Sequence, residues 1–453
     1  MTSLIQKYNV PGPRYTSYPT VPFWDNEAFT TDLWKVNCKK SFDLTNSKEG
    51  ISIYIHLPFC ESLCTFCGCH KRITKRHEVE IPYIELLLKE WQLYLDLFEN
   101  KPIIKEIHLG GGTPTFFTPD NLHKLISEIF EKSIIHKDCE MSFEAHPNNT
   151  TKKHLQILFD LGFRRLSLGV QDYDQKVQRV INRNQSFHSV AKVTIWAKEI
   201  GYTSISHDII YGLPFQTLAS IKDTIEKTKS LNPDRLAFYS YAHVPWLKGN
   251  GQRGFKDEDV PKDDFKRELY ELGKELLLKN EFIEIGMDHF STSKDSLYQS
   301  FMSNDLNRNF MGYTSSKTEV LIGLGVSSIS DSWNAFAQNT KDFKEYEDLV
   351  NKDVIPVIKG HILNKEDLII RKIILDLMCQ FKTDLNLIPK EYFEEFKIIE
   401  NLNEFLNDNL IALNENKLEI LEAGKPFIRN ICMVFDFKLK RNKPNTQLFS
   451  MTI

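Results

Sequence analysis

The sequence lacks an excess of charge of either sign, because 57 Lys and Arg residues stand against 61 Asp and Glu residues, a formal net charge of −4. Without a global basic field to hold a phosphate backbone, the composition argues against a nucleic-acid partner. No apolar run approaches the ~20 residues of a membrane span, since the most apolar stretches, such as 367–378, are interrupted by charge. The first residues contain no apolar core of signal-peptide length, so we expect a cytoplasmic protein.

Internal repeats and low-complexity tracts are absent as well, which excludes a solenoid and a disordered chain. The 453 residues are 41% hydrophobic and 26% charged, as in ordinary globular proteins. A chain of this length has room for several domains, or for one large α/β barrel with appendages. Four of the eight cysteines crowd into residues 60–69, which in a reducing compartment indicates metal or redox chemistry rather than disulfides.

Short β-rich runs alternate with helical stretches from residue 51 onward. The β-rich runs predict strands at 51–56, 104–109, 141–144, 166–169, 205–210 and 236–241. Helical periodicity predicts helices between them at 79–100, 121–132, 151–161, 187–200 and 216–230. This alternation indicates βαβ units, a parallel sheet and right-handed crossovers.

Polar, glycine-rich or cysteine-bearing residues follow each predicted strand. In chain order they are His56 before the cysteines, Gly110 to Gly112, Glu144, Gln171, Asp208, and Tyr241 with Ala242. The carboxyl ends of parallel barrel strands open on one face. We therefore expect these residues to converge on one active site.

The two flanks of this region have different patterns. Residues 1–50, with prolines at 11, 13, 19 and 22, predict an extended, irregular arm. The C-terminal part predicts a mainly helical domain, with helix at 359–382, a helix-rich stretch at 384–414 and a hairpin strand at 416–421. The predicted division is an arm at 1–50, a barrel at 51–335 and a C-terminal domain at 336–453.

Cys60, Cys64 and Cys67 form a C-x3-C-x2-C pattern, and Cys69 follows two residues later. Three thiolates on one tight loop can hold three irons of a cubane cluster and leave the fourth iron open to a small molecule with an amine and a carboxylate. The alternative is a structural zinc site. Such sites usually combine two separated Cys or His pairs, and no second pair follows here.

This cysteine pattern directly after the first strand is the fingerprint of the radical S-adenosylmethionine (SAM) superfamily, which the chain resembles. A second motif, GGGTP at 110–114, follows the second strand, where glycines let the backbone approach a ligand closely. Further motifs, spread over nearly the whole chain, resemble the oxygen-independent coproporphyrinogen III oxidases. They are GPRYTSYPT (12–20), GVQDYDQKVQRVINRNQ (169–185), DIIYGLP (208–214), GMDHF (286–290), NFMGYT (309–314), GLGVSSIS (323–330) and RNICMVFD (429–436).

The resemblance implies an α/β fold, a partial parallel TIM-type (β/α)6 radical SAM barrel with an extended N-terminal arm and a mainly helical C-terminal domain. It implies a [4Fe-4S] cluster and two molecules of SAM as cofactors. The implied reaction belongs to haem biosynthesis: two propionates of coproporphyrinogen III are oxidatively decarboxylated to the vinyl groups of protoporphyrinogen IX. Hydrogen abstraction by a 5′-deoxyadenosyl radical starts it, and the protein's part is placement.

The resemblance also implies roles for individual residues. Cys60, Cys64 and Cys67 would be the cluster ligands, and Cys69 would lie near the substrate and contribute to activity. The first SAM would be lined by Tyr54, Phe66, Gly111, Gly112 and Thr113. SAM, including the second molecule, would be held by Glu144, Gln171, Arg183, Asp208, Ala242 and Ile329. Carboxylates can pair with the sulfonium, amine or ribose of SAM, and an arginine can bind its carboxylate through two hydrogen bonds.

The substrate carries four propionates, so its pocket needs positive charge. Arg14 and Arg308 are candidates, although either can equally be a solvated surface arginine. Tyr15 and Tyr18 can bind the porphyrinogen or serve as packing anchors. Four histidines lie in or near these motifs, the first two expected to be structural and the last two without an assigned role: His56, His70, His243 and His289.

Two other readings of the sequence remain open. The related haem-trafficking proteins share the cluster motif without being decarboxylases, but typically carry an aromatic residue where this chain has Cys69, and lack the motifs at 12–20 and 429–436. A non-catalytic zinc module is disfavoured by the long barrel region. The implied partners are coproporphyrinogen III and an unidentified electron donor, and the implied oligomeric state is a monomer.

Overall fold

The structure, a computed structural model, describes residues 3–244, 252 and 254–453. The strands are β1 (Ile51–Leu57), β2 (Phe59–Cys60), β3 (Arg72–Ile73), β4 (Ile103–Gly111), β5 (Ile134–Ala145), β6 (Arg165–Gln171), β7 (Ser204–Tyr211), β8 (Arg235–Ser240), β9 (Ile283–Ile285), β10 (His289–Ser291), β11 (Asn307–Asn309), β12 (Gly312–Thr314), β13 (Val320–Leu324), β14 (Ile329–Asp331), β15 (Ala335–Asn339), β16 (Val357–Ile362), β17 (Lys382–Asp384), β18 (Ile411–Asn414) and β19 (Lys417–Ile420). The helices are α1 (Leu4–Tyr8), α2 (Thr31–Thr45), α3 (Glu80–Leu95), α4 (Pro119–Glu131), α5 (Lys152–Asp160), α6 (Gln175–Val180), α7 (Phe187–Ile200), α8 (Leu218–Ser230), α9 (Asp263–Leu278), α10 (Ser296–Met302), α11 (Phe343–Asn351), α12 (Lys365–Gln380), α13 (Lys390–Glu395), α14 (Ile398–Asn407), α15 (Ile428–Met433) and α16 (Phe437–Arg441).

A twelve-stranded sheet forms the centre, in the order β16-β15-β14-β13-β1-β4-β5-β6-β7-β8-β10-β9. Neighbouring strands from β13 to β8 are parallel. The strands at both edges, β14 to β16 and β10 with β9, run antiparallel. The six strands expected from the sequence are β1 and β4 to β8, so the α/β class with a mainly parallel central sheet is confirmed.

Helices α3, α4, α5, α7 and α8 connect successive parallel strands, as the helical periodicity predicts. The predicted helix at 187–200 coincides with α7 because both of its ends carry strong signals. The Ser186 side chain caps the first turn by accepting from Ser189 N, and Gly201 ends the helix with a φ of 112°. These crossovers leave the carboxyl ends of the parallel strands together on one face.

Strand β1 lies at the centre of the main core. Ile51, Ile53, Ile55 and Leu57 are fully buried on one face of the strand, and Ser52 and His56 are buried on the other, as expected for a strand covered on both faces. The four apolar side chains belong to a core cluster that includes Trp34 and the other fully buried side chains of α2 and α3. The carboxyl end of β1, from which the cysteine loop starts, is therefore rigidly positioned.

The predicted irregular arm contains a long helix, so that expectation was wrong for residues 31–45. Helix α2 buries Trp34, Cys38 and Phe42 and packs against β13, β15 and β16. The apolar periodicity of α2 is hard to recognise in the sequence because two polar residues, Ser41 and Thr45, also lie on its buried face. Their hydroxyls are satisfied by the carbonyl oxygens of Ser332 and Ser41, at 2.6 and 2.8 Å.

The helix expected at 359–382 begins later than predicted. Residues up to Ile362 form β16, which pairs with β15 at the edge of the sheet. The side chain of Asn364 then caps α12 by accepting from Asp367 N. Because β15 and β16 complete the main sheet, the sheet extends beyond the predicted barrel region 51–335, and the domain boundary itself stays a prediction.

A second core joins the N-terminal segment to the C-terminal helices. Tyr15 and Tyr18 are buried in it with side chains of α12, α14 and α15, and Tyr15 donates to Asp436 Oδ2 at 3.0 Å. Arg429 donates to the carbonyl oxygens of Pro13 and Met451, at 2.9 and 2.8 Å. Both tyrosines are thus packing anchors. Among the described residues, no helix is long and apolar enough to cross a membrane.

Candidate active site

The predicted cluster ligands lie on the loop that follows β1. The Cys60 thiol is 3.4 Å from Thr113 Oγ1, and Cys67 N donates to Cys64 O at 3.2 Å, which closes a tight turn. Arg183 Nη1 lies 3.8 Å from the Cys64 sulfur. All three thiols line one cavity of about 480 Å³, the smaller cavity. Across residues 3–244, 252 and 254–453, no three His, Cys, Asp or Glu side chains form a site for a single metal ion.

The glycine turn after β4 brings the backbone against the end of β1. Gly111 has a φ of +110°, and a Cβ there would lie 2.6 Å from the ring of His56. A Cβ on Gly112 would lie 2.6 Å from the carbonyl carbon of Pro58. Both positions therefore need glycine. The turn also places a backbone donor in the site, because Gly111 N donates to Glu144 Oε2 at 3.2 Å.

Asp208, on β7, is a largely buried carboxylate in the wall of the smaller cavity. The Ser167 hydroxyl donates its one proton to this carboxylate and lies 2.9 and 3.0 Å from the two carboxylate oxygens. Burial raises the pKa of Asp208 to about 7; Ser167 and the charge of Arg183 lower it, whereas the nearby Glu144 raises it. A carboxyl group whose pKa lies near 7 is only partly ionised at neutral pH, and it ionises fully when a cationic ligand binds beside it.

Arg183 is held over the end of β6 by several partners. Its Nε donates to Gln185 Oε1 at 3.1 Å, and its Nη2 donates to the carbonyl oxygen of Gly169. A Cβ on Gly169 would lie 2.5 Å from Nη2, so a larger residue there would displace the guanidinium. Gln171 ends the strand with a positive φ of 67°. These contacts fix the guanidinium beside the cysteine loop.

A second cavity of about 970 Å³, the larger cavity, adjoins the first. Tyr54 on β1, Ala242 after β8 and Ile329 on β14 lie in its wall. The residues that line both cavities are Phe66, Cys67, Cys69, Lys71, Gly111 and Glu144. The two cavities therefore form one continuous site at the carboxyl ends of the parallel strands.

Every residue that the resemblance assigns to the cluster, to SAM or to activity lines one or both cavities. The smaller cavity alone contains Cys60, Cys64, Gly112, Thr113, Gln171, Arg183 and Asp208. The larger cavity alone contains Tyr54, Ala242 and Ile329. Both are lined by Phe66, Cys67, Cys69, Gly111 and Glu144. The convergence is observed, whereas the individual roles stay predictions.

His56 and His70 also lie in the wall of the larger cavity. Both ring nitrogens of His56 have partners, the Tyr54 hydroxyl at 3.0 Å and the carbonyl oxygen of His70 at 2.9 Å. Burial lowers the pKa of His56 to about 4, so it is neutral at physiological pH. This arrangement agrees with a structural role for His56.

Arg14 and Arg308 are not among the described residues that line the two cavities. Arg14 donates to the carbonyl oxygen of Ser240, the last residue of β8, at 3.2 Å. Arg308 is buried, with its guanidinium 4.4 Å from the ring centre of Tyr313. Both arginines serve contacts within the fold, so the geometry does not support the expectation that they receive propionates.

Two lysines in the larger cavity were not predicted. Lys71 donates to the carbonyl oxygens of Cys67 and Cys69, at 3.0 and 3.2 Å. Its position directly after the cysteine motif is a signal that sequence analysis can use. Lys341 is an exposed residue of the same cavity wall, and it follows β15 far along the chain. No local pattern marks Lys341, because only the sheet order brings it to the site.

Comparison with known proteins agrees with this geometry. The sequence model of the Radical SAM superfamily matches residues 54–228. An oxygen-independent coproporphyrinogen III oxidase of Helicobacter pylori is 38% identical, over 99% of this chain and 98% of the relative. One of Escherichia coli is 36% identical, over 100% of this chain and 98% of the relative. A solved structure also matches, that of the coproporphyrinogen III oxidase from Escherichia coli, which is described as a radical SAM enzyme. It superposes with a TM-score of 0.87 at 34% identity, and the match covers 94% of this chain and 97% of that chain. The chain therefore belongs to the oxygen-independent coproporphyrinogen III oxidase family of radical SAM enzymes.

Proposed function

We propose that this chain converts coproporphyrinogen III to protoporphyrinogen IX without oxygen, the activity in the names of its relatives. The observation that carries the proposal is the convergence of the residues predicted for the cluster, for SAM and for activity on two adjoining cavities. In the reaction, two propionate side chains become vinyl groups. Each loses one hydrogen atom from its β-carbon, its carboxylate as carbon dioxide, and one electron.

The smaller cavity has the residues that a [4Fe-4S] cluster needs. Cys60, Cys64 and Cys67 present three thiols on one short turn, a donor set suited to such a cluster with one iron free of protein ligands. The two glycines of the adjacent turn leave room that a Cβ would fill. When bound, the cluster and SAM supply the radical that abstracts hydrogen. The chain itself binds and orients the reactants and excludes water from them.

Charged groups around the smaller cavity are arranged to orient SAM. Glu144 and Asp208 would face its sulfonium and amine, and Arg183 would bind its carboxylate. Phe66 and Thr113 would complete this wall, and Tyr54 would contact the first SAM from the wall of the larger cavity. Ala242 and Ile329 line the larger cavity instead, where a second SAM would contact them. Cys69, which lines both cavities, would act on the substrate side.

The larger cavity suits the tetrapyrrole. Its volume of about 970 Å³ is at the upper end of the usual range for ligand sites, roughly 300–1,000 Å³. Phe310, Met311 and Leu321 offer an apolar wall for the macrocycle. Lys71 and Lys341 supply positive charge for the propionates, the role that the sequence suggested for Arg14 and Arg308.

The remaining features of the proposal concern the chain as a whole. It would work as a cytoplasmic monomer without nucleic acid, and an external electron donor would supply it. The arm at 1–50 and the C-terminal domain at 336–453 would flank the barrel at 51–335. The buried contacts of Arg429 with the N-terminal segment support a stable attachment of the arm to the C-terminal helices.

The test is an anaerobic assay of the cluster-reconstituted protein with dithionite, SAM and coproporphyrinogen III. We expect SAM-dependent formation of 5′-deoxyadenosine, followed by chromatography, and of protoporphyrin, followed by fluorescence after oxidation. An intact cluster with unchanged porphyrinogen would overturn the proposal. Tight haem binding by the same preparation would then support the haem-trafficking alternative.

A further inference from the structure

A third cavity, of about 710 Å³, lies outside the active site and shares none of its described lining residues with the other two cavities. Aromatic rings form its floor, with the ring centre of Phe59 5.4 Å from that of Tyr83 and 6.0 Å from that of Phe343. We name it the Phe59 groove. It is lined by Phe59, Arg72, Arg76, Tyr83, Phe343 and Lys344, among others.

The Phe59 groove lies directly beside a predicted cluster ligand. Phe59 precedes Cys60 in β2, and β2 pairs with β3 so that Cys60 stands opposite Ile73. Thr74 N donates to Cys60 O at 2.9 Å. The segment 72–76 is thus hydrogen-bonded to the backbone of Cys60 and forms outer surface next to the cluster loop.

The rim of the groove is basic. Arg72, Lys75 and Arg76 are exposed, and Arg72 stacks 5.4 Å from the ring centre of Phe343. Among the described residues, no carboxylate lies within 4.0 Å of the charged nitrogens of these three side chains. Two glutamates also line the groove, the exposed Glu78 and Glu347, which is 3.4 Å from Lys344, so that three basic side chains face two acidic ones in the lining. Uncompensated positive charge is therefore concentrated at 72–76 in a chain with a formal net charge of −4.

We propose that the Phe59 groove and its basic rim are the docking surface for an acidic electron-carrier protein with a flavin or iron–sulfur centre. This inference rests on the proposed function, which needs one electron from outside for each SAM cleaved. The reduced carrier loses one electron, the cluster bound by the cysteine loop gains it, and no covalent bond forms between the proteins. Electron-transfer encounters have small interfaces, below ~1,200 Å², in which complementary charge steers association.

The groove offers both parts of such an interface. The apolar floor gives a short protruding side chain of the carrier a place to pack, and the arginines on the rim can pair with its carboxylates. Contact there places the carrier against β2 and β3, whose backbone is continuous with Cys60. Because the groove is separate from both active-site cavities, the carrier and the substrate can be bound together.

The experiment uses the holoenzyme and the double variant Arg72→Glu/Arg76→Glu. The matched control is Lys124→Glu/Lys390→Glu, which makes the same change in charge at exposed lysines outside the groove. Lys75 is left unchanged because it also lines the smaller cavity. The probe is an acidic flavin-containing electron carrier, kept reduced by its NADPH-dependent reductase for turnover and used oxidised for calorimetric binding.

We expect the Arg72→Glu/Arg76→Glu variant to bind the carrier at least about tenfold more weakly at 0.05 M salt, with carrier-driven turnover reduced in proportion. Turnover driven by dithionite should stay within about twofold of the wild type, as should every property of the control variant. Raising the salt to about 0.5 M should weaken wild-type binding and reduce the difference, because the interaction is between exposed charges.

Wild-type affinity in the Arg72→Glu/Arg76→Glu variant would overturn the inference, and so would an equal loss of dithionite-driven and carrier-driven turnover. Loss of binding to RNA or to anionic vesicles, with carrier binding intact, would assign the rim to another partner and also overturn it. A wild-type enzyme inactive with dithionite would refute the proposed function instead. The calorimetric comparison would still decide the docking surface in that case.

Discussion

The affinity of the smaller cavity for SAM is expected to depend on the charge of Asp208. Burial raises the pKa of this carboxyl to about 7 in the ligand-free protein, with Ser167 and Arg183 lowering it and Glu144 raising it. The sulfonium and amine of SAM favour the ionised carboxylate, so the pKa of Asp208 falls when SAM binds. Binding below pH 7 must therefore release a proton, and acid weakens it.

The size of the effect follows from the pKa. Above pH 7 the carboxylate is already ionised and the Kd for SAM is constant, whereas below pH 7 the Kd rises about tenfold per pH unit until the pKa of the complex is reached. Between pH 8 and pH 6 we expect an increase of about tenfold. His146, in the same cavity, does not titrate in this range because burial lowers its pKa to about 3.

The assay is calorimetric titration of SAM into the holoenzyme between pH 6 and pH 8, in buffers of different ionisation enthalpy so that released protons are counted. Asp208→Asn should bind SAM more weakly at pH 8 and lose the pH dependence. Ser167→Ala, which removes the hydrogen bond that lowers the pKa of Asp208, should move the midpoint to higher pH. A Kd independent of pH in the wild type, or unchanged pH dependence in Asp208→Asn, would refute the reasoning.

Four further substitutions test the ligands, the turn and the core. Cys64→Ala should abolish the cluster, and full iron content with full activity would show that the ligand assignment is wrong. Cys69→Ser should keep the iron and reduce turnover, whereas loss of iron would make Cys69 a ligand. Gly111→Ala places a Cβ 2.6 Å from the His56 ring at a φ of +110°. The free energy of unfolding should therefore fall by about 1–3 kcal/mol in thermal unfolding, and calorimetry should show a weaker affinity for SAM. Wild-type values for both would contradict the tight turn. Trp34→Ala empties a fully buried position of α2 and should cost about 3–5 kcal/mol in denaturant unfolding, and a cost below ~1 kcal/mol would place α2 outside the core.

The parallel strands could be predicted because they are short runs rich in β-branched residues. Ile51–Leu57 of β1 is an example, since three of its seven residues are isoleucines at alternate positions. Strand β5 extends over Ile134–Ala145, well before the predicted 141–144, because its first part is polar and partly exposed. The antiparallel edge strands β9, β10 and β14 to β16 were missed because they have only three to six residues, too few for a clear alternation of apolar and polar residues, and β16 was merged with α12.

The residues of the candidate site also fall into those that a local motif predicts and those that only the fold brings to the site. The cysteine loop and the glycine turn could be predicted because each is a local motif, and the structure brings them to one cavity. Lys341 could not be predicted, since it reaches the larger cavity only through the pairing of β13 to β16. Arg14 and Arg308 were selected for their charge and for their places in the N-terminal arm and beside the motif at 309–314, and their hydrogen bonds inside the fold are invisible in the sequence.

The central claim is that the two cavities hold SAM and coproporphyrinogen III together, so that hydrogen passes directly from a propionate β-carbon to the cosubstrate. It is tested most directly with coproporphyrinogen III deuterated at these β-carbons, in an anaerobic turnover analysed by mass spectrometry. We predict one deuterium atom in each 5′-deoxyadenosine that is formed with a vinyl group. Formation of vinyl groups together with unlabelled 5′-deoxyadenosine would contradict the account.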